Sequence, residues 1–327
     1  MKLTTTKKRV KDIQADIETD RATYIGASDV SAILGLNPFK SPYSVFAEKC
    51  DFVPAPDLSD RLAVVLGQLS EETVAQLFTR ETGKKVRRSN IRYGLKEFPF
   101  FGVHLDRLVK EPDGGTAILE CKTTFSRRPW DGYEEGNIPP WYYAQVMAEM
   151  AVSGIHRAYI AVLRTGPAFD YWAVPYNAKE AEIILNTCAD FWQHVQRREW
   201  PEGEDINGAA PTSTRDTIGA LRRSLWTEDT ARPVQLEDGP LEEIATLSAE
   251  IKRLSDEKTR LENQVKEKMK GAQRGTSARH TAKYRTIDTN RLDTAALKKD
   301  HPELVEQYTR PTSYDRFSVE ERKDDKQ

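Results

Sequence analysis

Three residues in the first half of the chain are spaced for metal-dependent chemistry. Asp106 precedes a Pro-Asp-Gly-Gly turn at 112–115, and Glu120 and Lys122 follow that turn. We expect two strands joined by the turn, because proline and glycine between apolar runs are typical of a hairpin. Side chains alternate along a strand, so Glu120 and Lys122 share one face, and Asp106 lies close to Glu120 on the neighbouring strand.

Two adjacent carboxylates need a positive charge between them, because they otherwise repel each other. Mg²⁺ suits Asp106 and Glu120, since it takes hard oxygen ligands and keeps several waters; Mn²⁺ accepts the same ligands. The backbone carbonyl of Cys121 is a further candidate ligand. Lys122 would orient or stabilise an attacking water while the metal polarises a phosphate. The pattern therefore predicts a site for metal-dependent hydrolysis.

Two residues on predicted helices extend this candidate site. Glu71 lies on a long helix predicted over 58–82 and could reach the metal from the side opposite the sheet. Gln145 lies on a helix predicted over 139–152, where its amide could hold a water or a phosphate. The alternatives are a solvated glutamate, an interfacial glutamine and an exposed Asp–Lys–Glu cluster, and the short pattern by itself favours the last of these.

A glycine-bearing loop near the start of the chain could bind an anion. It enters a predicted helix at Ser28, and Arg21 precedes it by seven residues. Free N–H groups at a helix N-terminus attract phosphates, so Arg21 and Ser28 are candidates for holding a DNA phosphate. The alternative is that Ser28 simply caps the helix, which the spacing by itself favours.

Charge and cysteine content exclude several classes of protein. The 327 residues include 49 Lys and Arg against 51 Asp and Glu, so a uniformly basic DNA-binding surface is excluded. Local basic clusters fit phosphate binding in one groove, or plain solvated surface. The three isolated cysteines suit a reducing cytoplasm and exclude a structural zinc or iron–sulfur site. No membrane partner is expected, because no apolar run of about 18 residues and no secretory signal occur.

The pattern of elements predicts a mixed α/β protein with a helical extension. We expect a flexible N-terminus over 1–20, a catalytic domain over 21–200, a linker around a short helix over 201–240, a coiled-coil helix over 241–270 and a basic strand and helix region over 271–327. The coiled-coil prediction depends on apolar residues at heptad positions. These are Ile244, Leu247, Ile251, Leu254, Leu261 and Val265, with Lys258 at the remaining position.

Several motifs occur together in an order that resembles a known family. They are Y-I-G-A-S-D-V-S-A-I-L-G at 24–35, N-P-F at 37–39, Gly67 with Glu71, Asp106, Glu120-x-Lys122-Thr123, and Gln145. This set resembles the YqaJ-like viral recombinase family, which is related to lambda exonuclease and belongs to the PD-(D/E)XK nuclease superfamily. Two positions depart from the pattern: Leu105 replaces the proline of the superfamily name, and His104 stands where relatives can have a serine.

The resemblance implies an α+β PD-(D/E)XK nuclease core, with a central mixed sheet flanked by helices. It implies a phage or prophage alkaline exonuclease, dependent on Mg²⁺, that degrades the 5′ strand of linear duplex DNA and leaves 3′ overhangs for recombination. Asp106 and Glu120, with Glu71 nearby, would hold the metal, and Lys122 would be catalytic. Arg21 and Ser28 would hold the 5′ phosphate.

The same resemblance implies partners besides double-stranded DNA ends. A single-strand annealing protein would bind the overhangs, and some relatives assemble as trimeric rings around DNA, so a homo-oligomer is implied. Two other functions stay open. The same active site could belong to a structure-specific or nicking endonuclease. The chain could also be a DNA-binding or assembly module without catalysis, although the intact Asp106, Glu120 and Lys122 argue against that.

Overall fold

The computed structural model describes residues 3–11, 16, 21–54, 61–124, 138–164, 168–224, 234–288, 292–310 and 317–319. The chain divides into two compact units, Met1–Thr230 and Ala231–Gln327. Strands β1 to β8 of the first unit are Thr5–Arg9, Lys85–Arg88, Ile91–Leu95, Val103–His104, Arg107–Lys110, Thr116–Thr124, Arg157–Arg164 and Ala168–Pro175. Its helices α1 to α6 are Ala27–Ile33, Pro42–Lys49, Leu62–Thr82, Pro140–Ser153, Ala178–Arg197 and Pro211–Ser224.

A five-stranded mixed sheet with the strand order β2-β5-β6-β7-β8 forms the centre of the first unit. Neighbouring strands are antiparallel except β6 and β7, which run parallel. Parallel neighbours need a crossover connection, and α4 lies between these two strands in the chain. The predicted central mixed sheet flanked by helices is confirmed.

The central strand β6 packs against different helices on its two faces. Leu119 belongs to a small core with Phe78 of α3, whereas Ile118 belongs to the main core with α4. Because side chains alternate along a strand, Glu120 and Lys122 share the face of Ile118. The sheet therefore presents both residues towards α4.

The predicted strand through Asp106 is interrupted. Val103–His104 form β4, which pairs with β3 in a separate three-stranded sheet, whereas Arg107–Lys110 form β5 of the central sheet. Asp106 lies in the gap, where the chain passes from one sheet to the other. Its backbone is consequently placed at the end of a strand rather than within one.

The N-terminus is more ordered than predicted. Thr5–Arg9 form β1, which pairs antiparallel with β3. The prediction of a flexible segment over 1–20 is therefore wrong for this strand, while residues 1–2, 12–15 and 17–20 lie outside the described residues. Four of the five side chains of β1 are exposed, as on an edge strand. The strand therefore lacks the alternation of apolar and polar residues from which it could have been predicted.

The predicted linker over 201–240 contains a packed helix. Leu221 of α6 is 2% exposed and contacts the core around Ala47. Thr217 Oγ1 also donates to Ser44 Oγ of α2 at 3.0 Å. The linker prediction is thus wrong for 211–224, since α6 is part of the first unit; residues 225–233 lie outside the described residues.

The second unit consists of a long helix and small elements. They are α7 (Asp238–Met269), the hairpin β9 (Arg274–Thr276) and β10 (Thr281–Lys283), α8 (Thr294–Asp300) and α9 (Pro302–Tyr308). The predicted helix is confirmed, and none of its residues is buried. Its coiled-coil pairing stays a prediction. Among the described residues, no helix has both the length and the apolar character that crossing a bilayer requires. Parts of 271–327, namely 289–291, 311–316 and 320–327, lie outside the described residues.

Candidate active site

Asp106, one residue before β5, and Glu120 of β6 are neighbours across the sheet. Arg107 of β5 pairs with Leu119 of β6, so the next position along this register places Asp106 opposite Glu120. The Asp106 Oδ2 atom also accepts a hydrogen bond from the Cys121 backbone N–H at 2.9 Å. The structure therefore brings together the two carboxylates and the Cys121 backbone that the sequence pattern predicted to be close.

Glu120, Lys122 and Gln145 form a closed hydrogen-bonded triangle. Lys122 Nζ lies 2.7 Å from Glu120 Oε1 and donates to Gln145 Oε1 at 3.2 Å. Gln145 Nε2 donates to the same Glu120 Oε1 at 2.6 Å. The amide orientation is fixed, because its carbonyl accepts from the ammonium while its N–H group donates to the carboxylate.

The charges around Lys122 keep it protonated. Burial favours the neutral amine, but the Glu120 and Asp106 carboxylates outweigh that effect and raise the pKa of Lys122 above its ordinary value. The ammonium also lies 4.8 Å from the centroid of the Tyr142 ring, a cation–π contact. Lys122 can therefore donate hydrogen bonds and supply positive charge, but it is unsuited to accept a proton at neutral pH.

Burial and repulsion raise the proton affinity of Asp106. Its pKa lies well above the ordinary value, first because of burial and then because of the Glu120 and Glu71 carboxylates. Such a carboxyl takes up a proton or binds a cation when one is present. The electrostatics thus fit the predicted metal ligand.

Glu71 comes from α3 and is held by an arginine. Its Oε2 accepts from Arg107 Nη1 at 3.2 Å, and the Arg107 side chain is 5% exposed. Burial raises the pKa of Glu71, with a further contribution from Glu120, while Arg107 opposes this. Glu71 is therefore close enough to the Asp106 and Glu120 carboxylates to influence their charge. The sequence did not identify Arg107 as the partner of Glu71.

Sequence reasoning also missed Glu149, a buried carboxyl beside the triangle. It is 1% exposed, and its Oε1 accepts from Gln145 Nε2 at 3.0 Å. Its Oε2 has no hydrogen-bond partner in the described part of the chain. Burial raises the pKa of Glu149 well above its ordinary value, and Glu120 and Asp106 add to the effect. The available signal was its position four residues after Gln145 on α4, one helical turn away.

Ser28 lies in the first turn of α1, and Arg21 lies six residues before that helix, near its buried Asp29. Gly26 caps the helix and donates its N–H to Asp29 Oδ2 at 3.2 Å, so the alternative of Ser28 as the cap is wrong. Ser28 is instead exposed. Arg21 Nη2 lies 3.7 Å from Asp29 Oδ1, and Lys49 lies 2.8 Å from Asp29 Oδ2. Burial would raise the pKa of Asp29, but its cationic neighbours hold it well below the ordinary value.

One cleft of about 770 Å³ connects the two groups of residues. Its lining includes Arg21, Ser28, Glu71, Asp106, Gln145 and Glu149. Glu120 is 2% exposed and the Lys122 side chain 20%, so both lie mostly below that surface. Gln145, which lines the cleft, forms hydrogen bonds with both of them.

The donor set fits a hard divalent cation. No group of three carboxylate, imidazole or thiolate side chains among the described residues is arranged to hold a metal unaided. Mg²⁺ does not require that, because one or two carboxylates and several waters satisfy it. Asp106, Glu120 and the Cys121 carbonyl provide oxygen donors, and the buried Glu149 Oε2 has no hydrogen-bond partner among the described residues, as at a site that takes a further ligand. The residues present therefore fit Mg²⁺ or Mn²⁺.

The fold and the site together define an α/β protein in which one cleft beside a mixed sheet contains both carboxylates and cationic side chains. Residues 17–156 match the model of the YqaJ-like viral recombinase domain, a range that includes every predicted site residue. The chain is 30% identical over 311 residues to the uncharacterized protein YqaJ of Bacillus subtilis strain 168, and the alignment covers 92% of each chain. The chain therefore belongs to the YqaJ-like viral recombinase family.

Two solved structures are similar at lower identity. One is an alkaline exonuclease, LHK-Exo, from Laribacter hongkongensis, with 16% identity, a TM-score of 0.47 and coverage of 56% of this chain and 93% of that chain. The other is a phage-related exonuclease from Haemophilus somnus 129PT, with 11% identity, a TM-score of 0.42 and coverage of 54% and 96%, respectively.

Proposed function

We propose that this protein is a Mg²⁺-dependent deoxyribonuclease that degrades the 5′ strand of linear duplex DNA and leaves 3′ overhangs for recombination. The observation that carries the proposal is that one cleft contains both Asp106 and the pair Arg21 and Ser28. A nuclease that begins at an end needs a group that binds the terminal phosphate and a second group that cleaves. Membership of a viral recombinase family supports the same conclusion.

Asp106, Glu120 and the Cys121 carbonyl would hold the cation, with Glu71 close by. When bound, such a cation neutralises the carboxylates and the phosphate and helps to activate water for hydrolysis. Glu71 is held by Arg107, whose almost fully buried guanidinium also donates to the Asp106 backbone carbonyl at 2.8 Å.

Lys122 and Gln145 would organise the reacting groups. The Lys122 ammonium stabilises negative charge that develops on the phosphate or orients the attacking water. Gln145 lines the cleft and is held by contacts with Lys122, Glu120 and Glu149, so its amide is already in position before DNA binds. Preorganised donors of this kind need no rearrangement during the reaction.

Arg21 and Ser28 would bind the 5′ phosphate of the strand that is degraded. The Ser28 hydroxyl is exposed at the first turn of α1, and the Arg21 side chain is 42% exposed, so both are accessible to DNA. Contacts of this kind are made to phosphates and carry no base information, so we expect no sequence preference. The single-strand annealing protein and a trimeric ring around DNA are parts of the same proposal.

The decisive test is digestion of linear duplex DNA that is labelled at either the 5′ or the 3′ end, with a closed circular control. Early release of the 5′ label, persistence of the 3′ label, survival of circles and inhibition by EDTA are the expected results. Nicked or cut circles would instead assign the site to an endonuclease. No cleavage with Mg²⁺ or Mn²⁺ would leave a DNA-binding or assembly module.

A further inference from the structure

Ser89 extends the row of site residues by one strand. Arg88 of β2 pairs with Arg107 of β5, so the next position along this register places Ser89 opposite Asp106. Asp106 lies opposite Glu120 in the same way. Residues directly opposite each other on antiparallel strands share a face and have Cα atoms about 4.5–5.5 Å apart. Ser89 lies one residue after β2 and Asp106 one residue before β5, so both registers, continued by one position, bring Ser89, Asp106 and Glu120 next to one another.

The Ser89 hydroxyl lacks a partner in the described part of the chain. Ser89 is 1% exposed and lines the cleft, and no hydrogen-bond partner of its Oγ is present among the described residues. Buried polar groups are nearly always hydrogen-bonded, so an orphaned hydroxyl at a cleft wall indicates a ligand. A hydroxyl donates readily to a phosphate oxygen.

The residues around Ser89 have the chemistry of a phosphate site. Arg88, Asn90 and Lys11 line the same cleft. The Arg88 guanidinium is 69% exposed and lies 3.2 Å from Glu72, which is itself 51% exposed. An exposed ion pair of this kind contributes little, so Arg88 can turn to a phosphate at small cost. The wall thus offers one hydroxyl, one amide and two cations, and its residues are distinct from the predicted anion-binding pair Arg21 and Ser28.

We propose that Lys11, Arg88, Ser89 and Asn90 bind a backbone phosphate of the DNA next to the phosphate at Asp106. Duplex DNA rises 3.4 Å per nucleotide along one strand. Because Ser89 neighbours Asp106 when the register is continued, we expect this second phosphate within one or two nucleotides of the cleaved bond. The proposal rests on the proposed nuclease function, and it assigns the β2–β3 turn a role that the sequence motifs do not include.

The test uses three full-length variants and DNA binding without turnover. Ser89→Ala and Lys11→Ala change the proposed wall, and Lys179→Ala, an exposed lysine on α5, is the matched control. Binding of 5′-phosphorylated duplex is measured with Ca²⁺ in place of Mg²⁺, over a range of salt concentrations. Digestion of the same DNA with Mg²⁺ is measured separately. If the unaltered protein does not cut this DNA, the nuclease proposal fails, whatever the binding results show.

We expect the two wall variants to differ in a defined way. Lys11→Ala should reduce the slope of log affinity against log salt by about 0.9, because one phosphate contact is lost. Ser89→Ala should weaken binding by about tenfold with an unchanged slope, since a neutral hydrogen-bond donor to a charged group is removed. Lys179→Ala should change neither quantity.

A neutral methylphosphonate placed at each position in turn then locates the contact. When the neutral group is one or two nucleotides from the cleaved bond, Ser89→Ala and Lys11→Ala should no longer reduce the affinity for DNA. If the unaltered protein binds and cuts DNA while both wall variants bind as it does, the subsite proposal is overturned and the nuclease proposal stands. Saturation by micromolar inorganic phosphate alone would assign the wall to a free anion and also overturn the proposal.

Discussion

At the scale of single residues, Lys122 neutralises a buried carboxylate, and we expect it also to take part in cleavage. Its ammonium neutralises Glu120, whose side chain is 3% exposed. Removing one partner of a buried ion pair leaves an uncompensated charge and costs about 3–5 kcal/mol. Lys122→Ala should therefore lower the free energy of unfolding by that amount without metal, and by less with Mg²⁺. Urea unfolding with and without Mg²⁺ measures both values.

The same variant tests the role of Lys122 in cleavage. Loss of a preorganised positive donor should reduce the cleavage rate by about 10²–10³-fold, while DNA binding in Ca²⁺ is retained. A variant that folds normally, binds DNA and still cuts at the original rate would remove Lys122 from the catalytic group.

Arg21 offers a sharper comparison, because the chain contains a matched cation. Arg21 and Lys40 each lie 3.7 Å from Asp29 Oδ1, but Arg21 lines the cleft. Arg21→Ala should reduce the preference for a 5′ phosphate over a 5′ hydroxyl roughly tenfold, since a charged hydrogen bond is lost. Lys40→Ala should leave that preference unchanged. Equal effects of the two variants on initial digestion rates would mean that Arg21 acts only through Asp29.

At the scale of elements, α4 delivers two polar residues to one point below the sheet. Gln145 and Glu149 are one turn apart on a helix that otherwise buries mainly apolar side chains. The result is a set of carboxyls, including Asp106 and Glu149, whose pKa values burial and mutual repulsion raise well above the ordinary values. We therefore expect the stability of the protein to depend on pH and on bound metal.

The sign of that dependence follows from proton linkage. Carboxyls with raised pKa values hold protons more tightly in the folded state, so their contribution to stability is complete below the ordinary values of 3.8 and 4.5. It is lost as pH rises through the raised values. Without metal, the free energy of unfolding should fall as pH rises above these ordinary carboxyl values. Mg²⁺ should restore more stability at the higher pH, because it binds deprotonated carboxylates.

Glu149→Gln is the control for this pH dependence. The amide keeps the size of the side chain and an oxygen that can accept from Gln145, but it does not titrate. Thermal unfolding of this variant in EDTA should change less with pH than that of the unaltered protein. An identical pH profile would show that Glu149 does not contribute.

Alternation along β6 and the hairpin turn were sufficient to predict that Glu120 and Lys122 share a face and that Asp106 lies beside Glu120. They could not reveal the break at Asp106, because the change from one sheet to another depends on the pairing of β4 with the distant β3. Glu149 was not evident either. Its burial depends on residues of β6 far away in the sequence, and local periodicity contains no such information.

At the scale of the whole molecule, the site residues and the proposed DNA-contacting wall all lie in the unit Met1–Thr230. The second unit contributes α7, whose apolar heptad residues are all exposed. A helix with such a face is typical of a partner-binding arm. Catalysis and assembly should therefore be separable by truncation.

Two truncations make that prediction specific. A variant that ends at Thr230 should fold and keep Mg²⁺-dependent cleavage, because it retains α6 and the complete first unit. A variant that ends at Trp200 lacks α6, so Ala47 and Val53 lose their contacts with Leu221, and the hydrogen bond from Thr217 to α2 is lost. Burial of one leucine side chain contributes about 1.5–3 kcal/mol, so the shorter variant should unfold at a lower temperature.

The two variants together separate the roles of the units. Equal melting temperatures would mean that α6 is a linker after all, as the sequence suggested, and that its packing against α2 contributes nothing measurable. Loss of cleavage by the longer variant, despite a normal melting temperature, would show that the active site depends on the second unit. Retained cleavage with reduced processivity on long DNA, measured as shorter tracts released per binding event, is the expected result, because a DNA-enclosing assembly would need the arm while a single cleavage would not.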